Sequence, residues 1–232
     1  MKISLLLLGV FLVLINFLLM YFFNEMVDRL ARCISTLIFF LIYIIQIKPK
    51  FRPVIVFSLF LICDAALIFY EDPAFMTLTY ISRMVAYSVL ILNVSGDLKR
   101  IKFGKVQGFI AALVIALNVY MVTNVVDMVP EATNDLMYTL LFYVYVLILL
   151  VLAIVAISYH SRYSNLKSFY YLCACFSLIF SDLLYFILYY LHFEFFKYAD
   201  RFFNIIGLMC FVVFLILKKD SEYEENHSFV MR

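Results

Sequence analysis

The stretch that decides the fold class runs from residue 136 to residue 157 and reads LMYTLLFYVYVLILLVLAIVAI. It contains no charged residue. At a rise of about 1.5 Å per residue, a helix of this length crosses the roughly 30 Å hydrocarbon core of a bilayer. The pattern therefore predicts a transmembrane helix.

The whole chain has the same character. Of its 232 residues, 67% are apolar and 15% are charged, whereas a soluble domain has about half apolar and a quarter charged residues. Seven further apolar runs have nearly the same length, at 3–23, 32–47, 53–70, 74–95, 107–126, 166–191 and 199–217. The sequence predicts an all-α integral membrane bundle of eight transmembrane helices. A net charge of only +2 excludes nucleic-acid binding driven by charge.

The loops between the predicted spans indicate the orientation. If eight helices alternate, most basic residues fall on the side of the two termini, including Lys2, Lys50, Arg52, Lys218 and Lys219. The opposite side is mostly acidic; its basic residues are Arg29, Arg32, Lys197 and Arg201, and Asp200 lies among its acids. The positive-inside rule then puts both termini in the cytoplasm. We expect a multi-pass protein of the cytoplasmic (plasma) membrane, with a transmembrane domain over 1–217 and a polar cytoplasmic tail over 218–232.

Three ionisable residues stand out because they lie deep inside predicted spans, namely Asp64, Arg83 and Asp182. Each costs about 2.5 to 3.5 kcal/mol to insert, so each is a functional candidate. Counted from the outer ends of their helices, all three lie roughly 10 to 15 Å deep, and they are expected to share one layer. Two interpretations remain open: an ion pair that locks the helices together, and a polar cavity that contains two coupled carboxylates.

Polar side chains accompany these charges. Tyr87 lies one turn from Arg83, Ser181 and Tyr185 flank Asp182, and Asn204 lies early in the last span. All three histidines lie outside the predicted spans, which excludes an intramembrane Ser-His or Cys-His nucleophile system. An enzyme built on this chain would therefore use carboxylates as its catalytic groups together with water, and we expect no metal or other cofactor.

Short motifs in a fixed order add a resemblance. They are Lys48-Pro49 before the third span, Cys63-Asp64 within it, Ser181-Asp182 in the span 166–191, and Ala199-Asp200 at the start of the last span. In their order and spacing they resemble the YhhN-like (lysoplasmalogenase) family of eight-helix membrane proteins. The chain resembles a divergent member, because Cys63 stands where the family usually has Gly and Arg83 where it has His.

The resemblance implies an activity and a set of residues. The family hydrolyses the vinyl-ether bond of lysoplasmalogen, a lysophospholipid that would enter from the bilayer, and uses no cofactor. It implies that Asp64 and Asp182 share general acid and base catalysis. Substrate binding would fall to Arg83, Tyr87, Ser181, Tyr185, Lys48 and Asn204. Membrane lipids are the expected partners, and the sequence assigns no oligomeric state.

Two alternatives are non-enzymatic. The same buried charges are typical of a small-molecule or proton-coupled transporter, although the spans lack the Gly or Pro breaks common in transporters. They also suit a structural or sensory bundle whose charges only hold the helices together.

Overall fold

The computed structural model describes residues 2–47, 49–98 and 136–230, with side chains over 4–47, 49–98 and 136–219. This part of the chain is all-α. The helices are α1 Lys2–Phe22, α2 Glu25–Gln46, α3 Phe51–Ala66, α4 Pro73–Leu98, α5 Leu136–Tyr163, α6 Leu166–Leu191 and α7 Phe196–Val230. A 3-10 turn, Leu67–Phe69, extends α3. The predicted span 107–126 lies outside the described residues.

Six of these helices are long and apolar enough to cross a membrane: α1, α3 with its 3-10 turn, α4, α5, α6 and α7 up to Lys219. They keep large apolar side chains on the outside of the bundle. On α5, for example, Leu140, Leu147 and Val151 expose 57%, 51% and 40% of their surface. Exposing such an apolar surface is costly in water but not in lipid. The fold is therefore that of a multi-pass membrane protein.

Local sequence explains where the helices begin. The Asn24 side chain accepts a hydrogen bond from the Val27 backbone N–H and caps α2, which begins seven residues before the predicted span 32–47. Asn165 and Ser168 form a capping box at the start of α6. Pro73 opens α4, where its missing N–H costs no hydrogen bond.

The helix ends meet in two groups. The Tyr138 hydroxyl donates to the Pro73 carbonyl at 3.1 Å, so the start of α5 lies beside the start of α4. The Tyr163 hydroxyl donates to the Asp97 carbonyl at 3.2 Å at the other end of both helices. We call the end that holds Pro73 the acidic end and the end that holds Asp97 the basic end. α4 and α5 therefore run in the same direction.

Helix α7 continues past the predicted boundary at residue 217. Its backbone is helical to Val230, through most of the segment predicted as a polar tail. Towards its other end, Gly207 lets α7 approach α6 closely. A Cβ at residue 207 would lie 2.9 Å from Leu178 Cγ and 3.3 Å from Leu178 N.

We expect Gly207→Ala to destabilise the bundle. Alanine favours a helix over glycine by about 0.5–1 kcal/mol, but the added methyl must push α6 away, at a cost of about 1–3 kcal/mol. Thermal unfolding in detergent measures the net loss. The matched control is Gly96→Ala, because a Cβ at residue 96 would meet no atom within 4 Å. Equal effects of both substitutions would contradict the close approach.

Candidate functional site

The site lies in the half of the bundle nearer the acidic end, where Arg83 joins two carboxylates. Its Nη2 is 2.5 Å from Asp182 Oδ1, and its Nη1 is 3.8 Å from Asp64 Oδ1. Arg83 exposes only 4% of its surface and Asp64 only 1%. The contact that the sequence predicts between these three residues is therefore present, and it joins α3, α4 and α6.

Three side chains donate hydrogen bonds to Asp182. Arg83 donates to Oδ1 from Nε at 3.0 Å and from Nη2, while the hydroxyls of Tyr87 and Tyr145 both donate to Oδ2. Both carboxylate oxygens therefore accept hydrogen bonds within the described part of the chain. The arrangement positions Asp182 from α4 and α5 at once.

A second arginine, Arg32 of α2, extends the layer. Its Nε donates to Asp64 Oδ1 at 3.1 Å and its Nη1 donates to Asp200 Oδ2 at 2.8 Å. The other Asp64 oxygen accepts from the Thr36 hydroxyl at 2.5 Å, and the Ser181 hydroxyl donates to Asp200 Oδ1 at 2.5 Å. Arg32 therefore bridges α3 and α7.

Asn204 and Tyr185 also contact Arg32. With the amide oriented by its hydrogen-bond partners, the Asn204 side-chain oxygen accepts from Arg32 Nη2 and Nε, both at 2.7 Å. The Arg32 guanidinium lies 5.8 Å from the centre of the Tyr185 ring. Hydrogen bonds and a cation–π contact thus hold Arg32 in one orientation.

A third buried arginine, Arg201, ties α7 to α1 and α2. It donates to Asp28 Oδ1 at 2.5 Å and to Asn16 Oδ1 at 3.1 Å. The Asn16 amide donates in turn to the Ser35 hydroxyl at 3.0 Å. The polar layer therefore reaches every described helix of the bundle.

The deep charges of this layer balance. Among the described residues it holds the guanidinium groups of Arg32, Arg83 and Arg201 and the carboxylates of Asp64, Asp182 and Asp200. A fourth carboxylate, Asp28, pairs with Arg201 towards the acidic end, where 20% of the Asp28 side chain is exposed.

A wide cavity of about 560 Å³ leads from the acidic end to this layer. Arg32, Asp200 and Arg201 line its deep part, and Leu67, Leu188 and Tyr189 add apolar surface. Its mouth carries Glu25, Asp28, Arg29, Glu71, His192, Glu194 and Lys197. The cavity thus offers both cationic and apolar surface to a ligand.

A smaller cavity of about 60 Å³ lies next to it. Four residues line both cavities: Arg32, Leu67, Tyr185 and Tyr190. Arg83, Tyr145 and Asp182 line only the smaller one, whereas Asp64 lines neither. Of the two carboxylates predicted to be catalytic, Asp182 is the one that faces a cavity.

An ion pair holds the mouth of the wide cavity. Arg29 donates to both oxygens of Glu71, at 2.9 and 2.5 Å, and so joins α2 to the loop before α4. These hydrogen bonds lower the pKa of the Glu71 carboxyl. Because 63% of the Glu71 side chain is exposed, the pair contributes little to stability, about 0–1 kcal/mol.

Most of the residues predicted for the site lie in the layer. These are Asp64, Arg83, Tyr87, Ser181, Asp182, Tyr185 and Asn204. Lys48 lies outside the described residues. Across the described ranges, no group of three or more His, Cys, Asp or Glu side chains could hold a metal ion.

Arg32, Asp200 and Arg201, which the sequence assigns to the charged side opposite the termini, are buried in the bundle and expose only 3%, 3% and 2%. All three belong to helices that begin before the predicted spans, so they enter the bundle. Helical spacing is the signal that finds them. Arg32 shares a buried face with Thr36 and Phe39, and Asp200 lies four residues before Asn204.

Comparisons with protein-family models, with curated proteins and with solved structures find no match to this chain. The functional assignment therefore depends on the residues of the layer and on the motifs in the sequence.

Proposed function

We propose that this protein is a membrane-embedded hydrolase that cleaves the vinyl-ether bond of lysoplasmalogen-type lysophospholipids. The observation that carries the proposal is Asp182, a carboxylate whose side chain is 9% exposed on the wall of a cavity, joined through Arg83 to Asp64. Vinyl-ether hydrolysis needs a proton donor and a carboxylate beside a developing positive charge. The polar layer provides two linked carboxyl groups for these two roles.

The reaction has three steps. One of the two carboxyl groups, in its protonated form, transfers its proton to the vinyl carbon remote from the ether oxygen, and the C=C electron pair forms the new C–H bond. The carboxylate that remains stabilises the oxocarbenium ion, and water adds to its carbon and releases a proton back to the layer. The resulting hemiacetal then breaks its bond to the glycerol oxygen, and its hydroxyl proton is passed to that oxygen. The products are a fatty aldehyde and a glycerophospho-alcohol. No oxidant or reductant is required.

The wide cavity suits a lysophospholipid. Lys197 at its mouth is suited to a phosphate, and its leucine and tyrosine surface to the start of an alkyl chain. The three arginines of its lining already donate to carboxylates of the protein. Arg83 is better suited to position Asp182 than to hold phosphate, because two of its nitrogens donate to that carboxylate. Tyr185 and Tyr190 line both cavities, where the head group and the vinyl ether would meet.

An aldehyde-release assay in heavy water tests this chemistry. Purified protein in detergent should release fatty aldehyde from a 1-alkenyl lysophospholipid, with one deuterium at aldehyde carbon 2, as read by mass spectrometry. The control substrate is the saturated 1-alkyl ether, which has no double bond to protonate and should release no aldehyde. Absence of aldehyde from the alkenyl substrate, with the protein shown to be folded, would exclude the proposed activity.

A specific observation favours the structural alternative. Both oxygens of Asp64, Asp182 and Asp200 already accept hydrogen bonds within the protein, as they would in a layer that only locks the helices. A structural or sensory bundle predicts strong coupling between Arg83 and Asp182 in a thermal-stability double-mutant cycle and no aldehyde release. A proton-coupled transporter predicts substrate-dependent proton uptake in proteoliposomes.

We further propose eight spans with both termini in the cytoplasm. Leu98 and Leu136 lie at opposite ends of the bundle, as an eight-span topology requires. Lys50, Arg52, Arg162, Lys167 and Lys218 belong to the basic end, which the positive-inside rule assigns to the cytoplasm. A C-terminal reporter that is active only in the cytoplasm tests this orientation.

A further inference from the structure

A third cavity, of about 320 Å³, lies at the basic end of the bundle, far along the helices from the polar layer. It is enclosed by the turn between α2 and α3, the last turns of α4, and α7. Its lining is Tyr43, Ile47, Lys50, Phe51, Arg52, Pro53, Asn93, Leu215, Lys218 and Lys219. We call it the basic-end cavity.

The lining of the basic-end cavity is strongly cationic. It includes Lys50, Arg52, Lys218 and Lys219, and within the described residues no Asp or Glu. Three of these side chains donate hydrogen bonds to main-chain carbonyls: Arg52 to Leu92 at 2.8 Å, Lys218 to Asn93 at 2.8 Å and Lys219 to Gln46 at 3.4 Å. These bonds hold the cations around one space, where they favour an anion.

The start of α3 points to the same ligand. Lys50 is the N-cap residue, and no side chain there accepts a hydrogen bond from the first turn. Pro53 has no N–H, but Phe51 and Arg52 provide backbone N–H groups beside the cavity. The uncapped N–H groups and the helix dipole both favour a negative group at this position.

Asn93 gives an independent indication. Its side-chain Nδ2 is buried, and it has no hydrogen-bond acceptor among the residues that the structure describes. A buried amide donor without a partner is costly, about 1–3 kcal/mol, so an acceptor at this position would be stabilising. Because Asn93 lines the basic-end cavity, a bound anion would supply that acceptor.

We propose that the basic-end cavity binds a phosphate group. A phosphate has the negative charge that four cations and a helix N-terminus favour, and enough oxygens to accept from several of them. Phe51, which exposes 81% of its surface, stands at the edge of the cavity, where it can contact lipid. The phosphate therefore comes either from the head group of an anionic phospholipid or from a soluble phosphate. This site is independent of the activity proposed for the polar layer.

Native mass spectrometry of the full chain in detergent tests the site. Phosphatidylglycerol and phosphatidylcholine are titrated separately, and inorganic phosphate is titrated in a parallel thermal-unfolding experiment. We expect either that one phosphatidylglycerol binds more tightly than phosphatidylcholine or that inorganic phosphate stabilises the protein. The first result identifies a lipid head group as the source of the phosphate, and the second identifies a soluble phosphate. The double variant R52Q/K219Q should weaken that binding by about tenfold or more, because two charge-assisted hydrogen bonds are lost.

Two further variants separate a built site from general attraction to a basic surface. Asn93→Ala removes the amide donor without changing the charge and should weaken phosphate binding by about threefold or more. R162Q/K167Q removes the same charge as R52Q/K219Q from the same end of the bundle, outside the cavity, and should leave binding within about twofold. Equal losses of binding in both double variants would overturn the proposal. So would a wild-type protein that binds phosphatidylglycerol no more tightly than phosphatidylcholine and is not stabilised by inorganic phosphate.

Discussion

Replacing Asp182 by Asn is expected to lower aldehyde release from a 1-alkenyl lysophospholipid by about a thousandfold, within the range of general acid–base catalysis. An asparagine has one carbonyl oxygen for the donors of Arg83, Tyr87 and Tyr145, and its amide group adds a donor where acceptors are needed. It can neither stabilise an oxocarbenium ion by charge nor donate a carboxyl proton. The ratio of the wild-type rate to the variant rate is measured as steady-state aldehyde release, on protein that elutes as a single folded species.

The matched control is Asp97→Asn, which makes the same change at an exposed carboxylate at the basic end and should leave the rate within about twofold. If Asp182→Asn fails to fold, Tyr145→Phe is the alternative test. It keeps the Asp182 carboxylate and removes one of the hydroxyl groups that donate to it. We expect Tyr145→Phe to lower the rate about tenfold. Normal turnover by Asp182→Asn would reject Asp182 as a catalytic group.

Replacing Arg32 by Met is expected to destabilise the bundle by about 3–5 kcal/mol, the usual cost of removing one partner of a buried ion pair. Arg32 lies between Asp64 and Asp200, which expose only 1% and 3% of their surface. Without the guanidinium, these carboxylates lose their closest positive charge and the hydrogen bonds that it donates. Thermal unfolding in detergent measures the loss.

The control lies one helical turn away. Arg29→Met removes an arginine whose partner, Glu71, is 63% exposed, and it should cost less than about 1 kcal/mol. The two variants have the same composition and change the same helix, so they differ mainly in burial. If Arg29→Met and Arg32→Met destabilised the protein equally, the buried layer would not be the main electrostatic contribution to stability.

The sequence predicted part of the polar layer correctly. Asp64, Arg83 and Asp182 lie deep within apolar runs, where isolated charges are too costly to face lipid, so their common depth already indicated a contact. The sequence did not assign Arg32 and Asp200 to the layer. Both lie near the ends of apolar runs, where a charge is equally compatible with the surface, and only the packing of α2 against α3 and α7 buries them.

The apolar runs of the sequence determined that this chain is a bundle of membrane helices. A continuous run such as 136–157 is long enough to cross a bilayer as a helix, which makes all of its backbone hydrogen bonds within itself. The tertiary structure decided which charges meet. It separated Asp182, which faces a cavity, from Asp64, which faces none, and it assembled the basic-end cavity from three distant segments. These outcomes depend on how helices rotate and pack against one another, and a hydropathy pattern read along one chain does not contain that information.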